Sequence, residues 1–154
     1  MYSVRKLNKI DIATGSQNYL ELCELIKNFF AGWQIEPSWL NIYNTMDTVD
    51  IFVVKCKDTI VGMCICSYVS ILVSRRAIID LVQISEAHRN KGLGTKLIEY
   101  VIHYLENADV DCVELNVAKN NEYAIRAYKR NNFEVLEDMS IMRKIFVSWK
   151  KIDA

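Results

Sequence analysis

Hydrophobic and polar positions follow two periods along this chain, and the switches between them mark its elements. Residues 77–84 form an apolar, β-branched run broken only by Asp80 and Gln83, the pattern of a strand buried on both faces. A polar loop carrying Gly92 and Gly94 follows. From about Gly94 onward, Leu97, Ile98, Val101, Ile102 and Leu105 recur at helical spacing. Upstream, residues 2–7, 51–57 and 60–69 read as strands, with a tight turn at Lys57-Asp58-Thr59. Residues 70–76 read equally as continued strand or as a short turn. The stripe of Leu22, Cys23, Ile26, Phe29 and Phe30 predicts a helix over 19–30, stopping near Gly32. Pro37 opens a second, short helix with Trp39, Leu40 and Tyr43 behind it. Downstream come a strand over 113–118, a helix over 121–130 and a closing antiparallel pair, 133–136 and 140–146. The order β-α-α-β-β-β-α-β-α-β-β predicts an α/β fold (an α+β mixed sheet) with helices on both faces.

Composition narrows the partners more than the fold. A length of 154 residues with 51% hydrophobic and 25% charged residues predicts one globular domain over 1–154. Lys plus Arg and Asp plus Glu stand at 19 each, so no net field draws the chain to nucleic acid or to an anionic membrane. Its apolar stretches fall short of the ~20 residues that span a bilayer, and no apolar segment follows the basic start, so neither membrane span nor signal peptide is expected. The five cysteines (23, 56, 64, 66 and 112) are odd in number and lack zinc-like pairing. They read as reduced, mostly buried thiols of a cytoplasmic protein, with no metal. Cys64 and Cys66, two apart on a strand, point the same way.

Strand, glycine-bearing loop and helix in succession make a phosphate-binding turn, with free N–H groups and the positive helix end facing an anion. The order Gly94-Thr95-Lys96 is wrong for a Walker A loop, and Leu97 stands where a dinucleotide fingerprint needs its third glycine. Arg89-Asn90-Lys91-Gly92-Leu93-Gly94 instead resembles the Arg/Gln-x-x-Gly-x-Gly/Ala loop of the GNAT superfamily of acyl-CoA-dependent N-acetyltransferases. Leu115-Asn116-Val117, then Asn121, Ala124, Tyr128 and Phe133 at the family's intervals, resembles its second signature. The glycine usual before that phenylalanine is Asn132, the next-best residue for a left-handed helix end.

The resemblance implies the GNAT fold, with central strands splayed around the arm of acetyl-CoA. It implies that Val82, Gln83 and Ile84 offer main-chain partners to that arm, an amide near Val82 polarising the thioester carbonyl. Arg89, Asn90, Lys91, Gly92, Leu93, Gly94 and Thr95 would cradle the pyrophosphate, and Asn121 would contact the pantetheine or cap its helix. Tyr128 would protonate the leaving CoA thiolate, unless it is simply core. Asp80 stands where many members carry a base, acting directly or through water; the alternative is a buried, paired carboxylate that organises the sheet. His88 reads as a surface histidine. No cysteine lies in either signature, which points to direct attack rather than an acetyl-enzyme. The acceptor would be a small-molecule or peptide amine. Its site would draw on Phe29, Phe30, Trp33, Trp39 and Tyr43, with Glu21, Glu24, Glu36, Asp47 and Asp50 nearby. A homodimer is compatible, with Trp149-Lys150-Lys151 available to pack on a neighbour. A non-catalytic acyl-CoA-binding or protein-interaction domain on the same fold is the alternative function.

Overall fold

The structure is a computed structural model that describes residues 1–31, 40–41, 45–137, 140, 142 and 144. Among the described residues one sheet holds five strands in chain order: β1 (Tyr2–Leu7), β2 (Val49–Cys56), β3 (Thr59–Ile71), β4 (Ser74–Ile84) and β5 (Cys112–Leu115). The first four are antiparallel neighbours, and β5 runs parallel to β4. A parallel neighbour requires a crossover, which α2 (Leu93–Glu106) supplies. Helix α1 (Gln17–Phe29) covers one face of the sheet; α2 covers the other, with α3 (Glu122–Arg130) beside it.

Both faces are buried, which explains why the central strands read as unbroken apolar runs. On the α1 face, Leu22, Leu25 and Ile26 pack with Ile51, Val53, Met63 and Leu81. On the α2 face, Leu97, Ile98, Val101 and Leu105 pack with Phe52, Val54, Cys64 and Ile79. Each fully buried side chain of this size stabilises the fold by roughly 1.5–3 kcal/mol.

Two irregularities in β4 make the site. The register with β3 slips so that Ile79 pairs with Cys66 and Leu81 with Ile65, leaving Asp80 without a partner. This bulge resets the alternation of faces: Ala77 and Ile79 face α2, as do Val82 and Ile84, while Leu81 faces α1. In addition, β5 pairs with β4 only from Arg76 to Ile79. Beyond the bulge the two strands part, so the strand expected over 113–118 ends at Leu115 and residues 116–118 leave the sheet.

Other boundaries move for local reasons. Helix α1 begins at Gln17 because the Ser16 hydroxyl accepts from the Tyr19 N–H at 3.2 Å, an N-cap ahead of the apolar stripe. The ambiguous stretch 70–76 is a hairpin: β3 runs to Ile71, Leu72 takes a left-handed φ of 46°, and β4 starts at Ser74. Its backbone pairs where side chains are mostly exposed, so hydropathy does not reveal it. Among the described residues, 133–136 pair with no strand; they follow the turn that ends α3. Gly32, Trp33, Glu36, Pro37, Trp39, Tyr43, most of 140–146 and the tail at Trp149 lie outside the described residues, although Leu40 is buried in the α1-face core.

Candidate functional site

Where β4 and β5 part, a cleft of about 410 Å³ opens through the sheet. It runs from Ile98 and Tyr128 on the α2 side to Phe29 on the α1 side, past residues 80–84 and 116–118. Asp80, Val82, Gln83, Ile84, Arg89, Asn90, Leu93, Gly94, Thr95, Asn121 and Tyr128 all line it; Lys91 and Gly92 do not. A smaller hollow of about 300 Å³, between Tyr100 and Ala108, lies at the other end of α2 from this chemistry.

The open edge of β4 has a defined polarity. Ser85 donates its N–H to the Val61 carbonyl of β3 at 2.8 Å, and the Gln83 carbonyl lies 3.0 Å from where a Cβ on Gly62 would sit. Residues 83 and 85 therefore turn their main chain toward β3, and strand alternation turns Val82 and Ile84 toward the cleft. The Ile84 carbonyl is met there by the Arg89 Nε–H at 3.2 Å.

The loop that follows leaves a helix end uncovered. Asn90 (φ 60°) and Gly92 (φ 72°) are left-handed, and Gly92 occupies the N-cap of α2 with no side-chain cap. The first helical bond runs from the Lys96 N–H to the Gly92 carbonyl at 3.1 Å. The N–H groups of Leu93, Gly94 and Thr95 thus have no helical acceptor, and the helix dipole makes this end attractive to anions. A Cβ built on Gly94 meets only Ile84 Cγ1 at 3.9 Å, ordinary contact, so packing alone does not demand glycine there. Lys91 donates to the Ala87 carbonyl and is exposed. His88 is half-buried rather than a free surface histidine: its Nδ1 lies 3.1 Å from the Tyr2 hydroxyl oxygen.

Tyr128 is placed by the way α3 ends. Asn132 adopts φ 61°, Phe133 donates its N–H to the Tyr128 carbonyl at 3.2 Å, and Asn132 donates to the Lys129 carbonyl at 3.1 Å. This is a Schellman turn with asparagine in glycine's place. It lays the Phe133 ring against the Tyr128 ring, centroids 5.7 Å apart. Burial, and secondarily the Cys64 thiol, pushes the Tyr128 phenol above its usual range. Its hydroxyl has no hydrogen-bond partner among the described residues, and the residue lines the cleft. At the other end of α3, the Asn121 side chain accepts from the Ala124 N–H at 3.2 Å, so it is an N-cap as well as a cleft residue.

Asp80 is exposed, and among the described residues it has no ion pair or hydrogen bond. The bulge turns it out of the ladder, so the picture of a buried, paired Asp80 does not hold. It is also the one carboxylate among the described residues lining the cleft. Three of the other acids expected nearby are engaged elsewhere: Glu21 accepts from the Ile60 N–H at 2.8 Å, Asp47 pairs with Lys9, and Asp50 pairs with Lys6 at 2.7 Å; Glu24 is exposed and does not line the cleft. Of the described aromatics expected there, Phe29 reaches the cleft and Phe30 packs with the α1-face core. Periodicity places such residues on a helix but not what each one touches. Gln83, expected to contribute only its main chain, is 5% exposed, and its side-chain oxygen is buried without a hydrogen-bond partner. Such an orphan costs about 1–3 kcal/mol. The signal for it in the sequence is a polar residue within an apolar strand.

The cysteines carry no disulfide: Cys23, Cys64 and Cys66 are buried, Cys56 is half-buried and Cys112 is exposed. The Cys64 and Cys66 sulfurs lie 3.7 Å apart, on one face as expected. Among the described residues no helix is long and apolar enough to cross a membrane, and no metal-holding cluster occurs.

Comparison with known proteins bears on the family and the fold. The family model described as "Acetyltransferase (GNAT) family" matches residues 19–133. An uncharacterized N-acetyltransferase of Methanocaldococcus jannaschii is 29% identical over 144 residues, covering 88% of this chain; the chain spans 62% of that relative's length. Among solved structures, an aminoglycoside acetyltransferase from an uncultured soil metagenomic sample, in complex with sisomicin, superposes with a TM-score of 0.77 at 16% identity, covering 96% of this chain and 97% of its own. AAC(6')-Iy in complex with the bisubstrate analog CoA-S-monomethyl-acetylneamine superposes with a TM-score of 0.76 at 16% identity, covering 94% and 99%. A ribosomal-protein-alanine N-acetyltransferase from Brucella melitensis gives 0.72 at 17% identity, covering 95% and 100%.

Proposed function

The chain belongs to the GNAT acetyltransferase family, and from that premise we propose that it moves the acetyl group of acetyl-CoA to a primary amine by direct attack in a ternary complex. The observation that carries this reading is a single cleft that brings together an exposed carboxylate, a half-buried phenol and an uncapped helix start.

The residues present fit such a carrier. The N–H groups of Leu93, Gly94 and Thr95 would hold the pyrophosphate, with the Arg89 guanidinium at the rim. The main chain of Val82 and Ile84, turned to the cleft, would pair with the pantetheine arm as a neighbouring strand does. The carrier supplies an acetyl group activated as a thioester. An N–H at Val82 directed at the carbonyl oxygen is worth ~3–4 kcal/mol if aligned in the transition state.

The acceptor arrives as an ammonium and must lose a proton before its nitrogen can attack. Asp80 takes that proton, directly or through one water. As the new N–C bond forms and the C–S bond breaks, the departing sulfur needs a proton, and Tyr128 gives it. A thiol is more acidic than a phenol, at about 8.5 against about 10, so Tyr128 acts chiefly by hydrogen-bonding to the departing thiolate, and a proton that it gives up is replaced from water once the thiol has left.

The test is release of CoA thiol from acetyl-CoA across a panel of primary amines. The wild-type protein is expected to turn over at least one of them. Asp80→Asn is expected to lower kcat by about 10²-fold or more and to alter the acidic limb of the pH profile, with acetyl-CoA affinity unchanged. An unaltered limb removes Asp80 from the mechanism. Tight acetyl-CoA binding without turnover on any amine would favour a non-catalytic binding domain.

A further inference from the structure

We propose that the Gln83 side chain is the contact that positions the acceptor nitrogen and selects primary over secondary amines. The inference rests on the acetyl-transfer reading above and adds the residue that reads the acceptor.

Four observations converge on Gln83. It lies three residues beyond Asp80 on the same strand, and both line the cleft. Strand alternation after the bulge puts it on the face of Leu81, toward α1, while Val82 and Ile84 face α2 with Tyr128. The carrier's anchors and the proton donor thus approach from one side of β4, and Gln83 meets whatever enters from the other, near Phe29. Finally, it is 5% exposed, and its Oε1 is buried with no hydrogen-bond partner. Buried carboxamides are ordinarily satisfied. An acceptor left unpaired beside a cleft is free to take a hydrogen bond from a ligand.

The chemistry assigns its role. A primary ammonium has three N–H bonds. One proton goes to Asp80, leaving a lone pair that must face the acyl carbon and two N–H groups that need orienting. A neutral carboxamide oxygen accepts one of them without competing for a proton. A carboxylate at the same place would hold the amine as an ammonium and blunt its attack. A secondary amine keeps only one N–H after deprotonation, and its added carbon crowds the contact.

The experiment compares wild type with Gln83→Met, an unbranched apolar side chain of similar length, using acetyl-CoA, the best primary amine of the panel and its N-methyl derivative. Gln83→Met is expected to raise the KM for the primary amine about 3- to 10-fold, the worth of one neutral hydrogen bond. KM for acetyl-CoA should hold, and the preference for the primary amine over its N-methyl form should shrink. The free variant should melt at or above the wild-type temperature, since it removes an unsatisfied buried group. An unchanged KM and preference, or a lower melting temperature of the free protein, overturns the role while leaving acetyl transfer standing. If wild type releases no thiol with any amine, the acetyl-transfer reading falls first and this inference with it.

Discussion

A phenol in water loses its proton near pH 10, and burial beside Cys64 pushes that of Tyr128 higher. An acid that must stay protonated to work gives activity that persists as pH rises and fails only above the usual phenol range. Tyr128→Phe should therefore lower kcat by roughly 10²-fold, the usual worth of a positioned acid, and change the shape of the alkaline limb. A variant with normal kcat would leave Tyr128 as packing. Gly94 allows a sharper test, because fold and ligand pull in opposite directions. A Cβ there meets only ordinary contact, and a carboxylate in the first turn suits the helix dipole by about 0.3–1 kcal/mol. Gly94→Glu should hold or raise the melting temperature while weakening acetyl-CoA binding by more than about tenfold, since its charge competes for the same N–H groups. Calorimetric titration paired with a melt separates the two effects. Residue identities in this loop were legible in the sequence because few side chains allow close backbone approach. The engagement of Glu21, Asp47 and Asp50 elsewhere was not, since each partner lies far along the chain.

The end of α3 shows how an element sets a residue. Asn132 holds a left-handed turn at some cost, and that turn presses Phe133 onto Tyr128. Asn132→Gly should stabilise the protein by up to ~1 kcal/mol with turnover kept, because glycine enters this conformation without a Cβ clash. Asn132→Val should cost ~1–2 kcal/mol and also lower kcat, as the ring contact loosens. Chemical denaturation alongside the thiol assay reads both; a stability loss with unchanged kcat would uncouple the turn from Tyr128. This element was read correctly from sequence because its bonds span only a few residues. The hairpin at Leu72 escaped hydropathy because main-chain pairing needs no apolar side chains.

At the scale of the whole molecule, the two-faced sheet buries acids that prefer to stay neutral. Cys64 is pushed up by its bond to Cys66 and by burial, Tyr68 by burial and its bond to Asp50, and Tyr128 by burial. Groups whose folded values lie above the unfolded ones stabilise fully below the unfolded range, about 8.5 for a thiol and about 10 for a phenol. That contribution is lost as pH climbs through the raised values. The melting temperature should thus fall between pH 8 and 11, with urea midpoints following it; a flat profile would mean that these groups are hydrated in solution.

The sequence by itself determined most of the strands and helices around the site and the glycine loop, because these depend on local periodicity and on conformations few residues adopt. Only the tertiary structure decided that β4 bulges at Asp80, that β5 leaves it there, and that the Gln83 side-chain oxygen is buried without a hydrogen-bond partner. Each of these depends on the register between strands distant in the chain. A slip of one residue in that register exchanges the face of every side chain, and no local pattern records it.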